Sequence, residues 1–74
     1  MQNINENHAE GQSQTDKILG YMLTGKSITP LEALEMFRCF RLGARIADIK
    51  ARGYIVYSEF VTTDSQKKVK RYHL

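Results

Sequence analysis

A mainly α-helical domain closed by a β-hairpin, three helices followed by two strands, is the fold class predicted for this chain of 74 residues. Three observations predict it. Apolar residues recur at helical spacing in three successive segments between Ser13 and Arg52, caps and glycines punctuate those segments, and the remainder is β-branched and aromatic around one turn-like break. The length admits one small core and no second. The first dozen residues are rich in Asn, Gln, Glu and Ser with little to bury, so the chain divides into a disordered polar tail over residues 1–12 and a folded domain over residues 13–74.

The first helix is expected from Ser13 or Gln14. Ile18 and Met22, with Leu19 and Tyr21 beside them, form its apolar side, Asp16 suits its N-terminal end, and Gly25 stops it. "KSI" reads as a short extended link. "TPLEALEMF" then carries the clearest start signal in the chain: Thr29 can cap, Pro30 suits the first helical position, and Glu32 completes a capping box. This second helix should run to about Phe37 and bury Leu31, Leu34 and Phe37. A tight turn leads into "FRLGARIADIKARG", where Leu42, Ile46 and Ile49 form the buried stripe of a third helix and Gly53 supplies a left-handed cap. "YIVYSEFVTT" and "KKVKRYHL" are strands on either side of the turn "DSQ". Ile55 and Tyr57, and Tyr72 and Leu74, alternate as inward positions, while Val69 breaks the phase and suggests a bulge. Three helices and a hairpin in this order form a winged helix-turn-helix domain.

Composition excludes several classes of protein. The apolar fraction is 42% and the charged fraction 26%, and no apolar run approaches the ~20 residues that span a bilayer. The N-terminal residues have neither a basic leader nor an apolar stretch and do not read as a secretory signal, so a cytoplasmic location is expected by default. Cys39 is the sole cysteine and the two histidines, His8 and His73, lie at opposite ends, so neither an internal disulfide nor a recognised zinc spacing exists. Cys39 reads as a small buried apolar residue and His73 as a surface residue. No nucleophile, base and orienting group cluster, so an enzyme is not expected, nor is any cofactor.

Charge is divided unevenly along the chain. Residues 1–37 carry two lysines against five carboxylates, a net −3, whereas residues 38–74 carry nine cations against three carboxylates, a net +6. Such a concentration draws a polyanion, nucleic acid above all, although it also describes a solvated surface. Turning the third helix about its axis puts Arg41, Arg45, Asp48 and Arg52 along one flank, and Ala44, Ala47 and Ala51 roughly opposite the core. A helix entering a DNA major groove needs little bulk where it nears the bases and cations where it passes the phosphates. Gly43, Ala44 and Ala47 would equally allow close packing on another helix.

The stretch from Asp16 to Glu59 resembles small winged helix-turn-helix proteins of bacteriophages and prophages in its pieces "ITPLEAL", "RLGARIADIK" and "RGY", and the resemblance extends over residues 14–74. It implies binding of double-stranded DNA and a regulatory role, with residues 40–52 as the recognition helix and residues 62–70 as the wing. On that basis Arg38, Arg41, Ala44 and Arg45 belong on or beside the recognition helix, and Lys67, Lys68 and Lys70 on the wing.

Plainer roles compete with these. Arg45 can pair with Glu32 or Glu35 of the second helix rather than touch a base. Arg38 and Arg41 stand at the helix start, the part that enters the groove. "KKVKR" can be a charged edge strand that resists aggregation, but its place beside the wing favours phosphate contact. Two functions follow: a non-enzymatic DNA-binding protein, acting as a transcriptional regulator or an architectural or excision factor, and, as the alternative, a winged protein-interaction module whose basic surface meets an acidic patch on a host or phage protein.

Overall fold

The computed structural model describes the backbone of residues 2–74 and the side chains of residues 13–74. Three helices and one hairpin follow in order: α1 (Gln2–Leu23), α2 (Pro30–Phe37), α3 (Leu42–Ala51), β1 (Tyr57–Thr62) and β2 (Lys68–His73). The polar tail expected over residues 1–12 falls outside the residues whose side chains are described.

The start of α2 is set by local chemistry. Thr29 is extended at φ −107°, its hydroxyl accepts the Glu32 N–H at 3.3 Å, and its own N–H donates to the Glu32 carboxylate at 2.9 Å, so two orphan donors of the first turn are satisfied reciprocally. Gly25 and Gly53 both lie at positive φ (91° and 100°), where they end α1 and α3 without the steric cost of a Cβ.

The core gathers Ile18, Leu19 and Met22 of α1, Ile28 of the link, Ala33 of α2, Cys39, and Leu42, Ile46 and Ile49 of α3. Tyr21, Phe37, Val56, Tyr72 and Leu74 pack around it, and Tyr21 meets Phe37 edge to face at 5.8 Å. Leu31, expected inside, is 61% exposed, and Ala33 takes the buried position instead. Eight residues are little more than two turns, so the apolar positions of α2 fit two phases, and packing against α1 and α3 selects the one that contains the small residue.

β1 and β2 pair antiparallel in unbroken register from Tyr57 opposite His73 to Thr62 opposite Lys68. Val69 is therefore no bulge: it stands opposite Val61, and both are half-buried on one face of the hairpin. Ile55 and Tyr57, expected to point inward, are 72% and 56% exposed, and Val56 packs on the core in their place. Ile28 bridges to Tyr72 through two backbone bonds, Ile28 N–H to the Tyr72 carbonyl at 2.9 Å and Tyr72 N–H to the Ile28 carbonyl at 2.8 Å. The link between α1 and α2 thus fastens the root of the hairpin to the helices. His73 is half-buried and stacked on the Tyr57 ring at 5.6 Å, not a free surface residue.

Candidate nucleic-acid interface

The turn between α2 and α3 is built on a strained residue. Arg38 is left-handed (φ 55°, ψ 32°), a conformation that costs a non-glycine residue roughly 1–2 kcal/mol. Its N–H donates to the Leu34 carbonyl at 3.0 Å, closing α2 with a left-handed cap, and Cys39 N–H reaches back to the Ala33 carbonyl at 3.1 Å. Gln14 of α1 donates its side-chain amide to the Arg38 carbonyl at 3.3 Å. The chain turns sharply there, buries Cys39, exposes Phe40, and enters α3 at Arg41.

A pocket of about 310 Å³ opens between α1 and the start of α3, lined by Gln14, Arg38, Phe40, Arg41, Ala44 and Arg45. Four residues singled out from the sequence, Arg38, Arg41, Ala44 and Arg45, thus share one concave surface. Lys67, Lys68 and Lys70 lie apart, on the hairpin. Lys67 follows the tip turn, in which Thr63 N–H donates to the Lys67 carbonyl at 2.8 Å, and Lys68 and Lys70 are exposed and point to the same side of β2. Phe60, opposite Lys70, lies under its ammonium at 5.8 Å.

Ion pairs sort the cations. Arg45 Nε lies 3.2 Å from the Asp48 carboxylate without aligning its N–H, so the pairing with Glu32 or Glu35 does not form; the Glu32 carboxylate is occupied by the α2 cap. Asp48 also accepts the hydroxyl of buried Thr15 at 3.1 Å, and Arg52 donates to Asp16 at 2.6 Å. Both Thr15 and Asp16 belong to α1. The later part of the Arg41–Arg52 flank therefore faces α1, through Asp48 and Arg52, while Arg45 pairs within α3. On the hairpin, Arg71 binds Glu59 at 2.6 Å and holds that carboxyl below its ordinary range, first by the hydrogen bond and then by its charge. Among the described residues no carboxylate pairs with Arg38, Arg41, Lys50, Lys67, Lys68 or Lys70.

The outward face of α3 is small and open. Gly43 and Ala47 are exposed, and a Cβ placed on Gly43 would meet nothing within 4 Å, so this glycine does not serve close packing between helices. Phe40, 83% exposed between Arg38 and Arg41, neither of which pairs with a carboxylate among the described residues, is a surface feature that sequence reasoning missed. Its sequence cue is that it lies out of phase with Leu42, Ile46 and Ile49.

These elements define a helix-turn-helix with a two-stranded wing, the architecture of a DNA-binding module that is typically non-enzymatic. The chain belongs to the family described as the winged helix-turn-helix domain, whose profile matches residues 13–74. No curated protein and no solved structure matches it. Among the described residues no helix is long and apolar enough to cross a membrane, and no group of His, Cys, Asp or Glu side chains could hold a metal ion.

Proposed function

We propose that this protein binds double-stranded DNA sequence-specifically without catalysis, the start of α3 entering the major groove and the hairpin lying along flanking phosphates. The observation that carries the proposal is the division of the cations: Arg38 and Arg41 at the exposed start of α3 have no carboxylate partner among the described residues, whereas Arg45, Arg52 and Arg71 do. Arg38 and Arg41 are the direct contacts, Ala44 gives close approach, and Arg45 acts by shaping the pocket wall. Lys67, Lys68 and Lys70 bind phosphates. The resemblance to phage and prophage proteins supports a cytoplasmic role as a transcriptional regulator or an architectural or excision factor.

Titration against random duplex at low salt, and then against a selected and a scrambled site at several salt concentrations, tests this. Replacing Lys67, Lys68 or Lys70 by Ala should weaken binding to both sites alike and lower the salt slope by about 0.9. Arg41→Ala should cost ~1–3 kcal/mol on the selected site and much less on the scrambled one. If the wild-type protein binds no duplex even at low salt, the reading is wrong, and a partner with an acidic surface takes the place of DNA.

A further inference from the structure

We infer that Phe40 reads the 5-methyl group of a thymine in the major groove; the inference rests on the DNA-binding reading above and adds a sequence preference to it. Phe40 is 83% exposed, more than any other large apolar side chain among the described residues. It occupies the turn between α2 and α3, where nothing in the core requires an apolar residue: Cys39 before it and Leu42 after it already supply the buried contacts. A phenyl ring left in water forfeits the apolar contact that is its main use.

The surroundings of the ring define its occupant. Arg38 and Arg41 flank it without carboxylate partners among the described residues, and with Ala44 they line the same pocket. The matching surface must be anionic at its edges and apolar at one central point. An acidic protein patch meets the arginines but gives the ring nothing specific. DNA meets both needs, since phosphates border the groove and, of the base edges exposed there, thymine alone presents a methyl group. Ala44, one turn into α3 and half-buried, leaves room for that approach.

The test uses the full chain and a selected duplex in which each thymine is replaced in turn by deoxyuridine, which deletes the methyl and keeps the hydrogen-bonding edge. At one position the replacement should weaken wild-type binding about fourfold, the value of one buried methyl group. Phe40→Ala should bind both duplexes equally, and Phe40→Leu should restore part of the preference. Because Phe40 is exposed, the melting temperature of Phe40→Ala should equal that of the wild type, which separates a lost contact from a lost fold. The inference is overturned if the selected site lacks thymine, if no deoxyuridine affects the wild type, or if the penalty persists in Phe40→Ala. In each of those cases the DNA-binding reading survives, whereas failure to bind any duplex overturns both.

Discussion

Replacing Arg38 by glycine should make the protein more stable and a weaker DNA binder. The substitution touches no backbone hydrogen bond, because the bonds that close the turn, Arg38 N–H to Leu34, Cys39 N–H to Ala33 and Gln14 to the Arg38 carbonyl, all use main-chain atoms of residue 38 or none of its atoms. What changes is the steric cost of φ 55°, roughly 1–2 kcal/mol for an L-residue, against the ~0.5–1 kcal/mol of extra chain entropy that glycine loses on folding. The difference is a net gain of about 0.5–1 kcal/mol. In a domain of this size that raises the melting temperature by about 2–8 °C.

The same change removes an exposed guanidinium with no carboxylate partner among the described residues, so the salt slope of DNA binding should fall by about 0.9. Arg38→Ala is the control, because it deletes the charge and keeps the Cβ: binding should fall equally and stability should stay at the wild-type value. Urea denaturation followed by circular dichroism, with fluorescence anisotropy on a labelled duplex, measures both. A glycine variant no more stable than the alanine variant refutes the argument from strain. Unchanged binding in both variants refutes the placement of Arg38 at the interface.

Thr29→Ala removes the acceptor of the α2 cap and should cost ~1 kcal/mol; an unchanged denaturation midpoint would count against the capping box as a source of stability. Gly43→Ala meets no neighbouring atom and should stabilise α3 by about 0.5–1 kcal/mol, while, on the proposed reading, adding bulk to the face that nears the bases and weakening binding; unchanged binding by the variant would place that face away from DNA. Glu59 titrates below its ordinary value in the folded protein because of Arg71, so its contribution is present above the unfolded carboxyl pKa near 4.5 and disappears as pH falls through the lower folded value. Comparing Glu59→Gln with wild type across pH 2–6 should therefore show their stability difference shrinking towards acid, and a constant difference would contradict the ion pair.

The parts of this fold that were legible in the sequence are those fixed by neighbouring residues. Thr29, Pro30 and Glu32 announce the start of α2 because all three act within one turn, and Gly53 marks the end of α3 for the same reason. The order of helices and hairpin follows from changes of apolar period. Contacts across long sequence separation were not legible. Arg45 has acidic residues available on α2, but which helix faces its flank depends on how α1 packs, and the Thr15–Asp48 and Asp16–Arg52 contacts span 33 and 36 residues. The hairpin shows the same limit: Val69 looks out of phase only if one face of β2 is assumed to be apolar, whereas Val61 opposite it gives the other face its own apolar pair. Of the candidate site, the cations at the turn were readable as a cluster, and so was the burial of Cys39 and Leu42, but the exposure of Phe40 depends on the path of the turn between α2 and α3.

Pairing divides the positive charge of the second half of the chain into two groups with different consequences. Arg45, Arg52 and Arg71 face Asp48, Asp16 and Glu59; these pairs are at least partly exposed and screened by solvent, Arg45–Asp48 lying within α3, Arg52–Asp16 tying the end of α3 to α1, and Arg71–Glu59 tying β2 to β1. Arg38, Arg41, Lys50, Lys67, Lys68 and Lys70 have no such partner among the described residues, and their positive potential is not neutralised locally. Removing a paired arginine should disturb packing first and binding only as a result, whereas removing an unpaired cation should change binding while stability is kept. The net charge of the chain does not distinguish these groups. Their separation follows from where three carboxylates sit, two of them on the helices that hold the turn and the third on the strand that begins the wing.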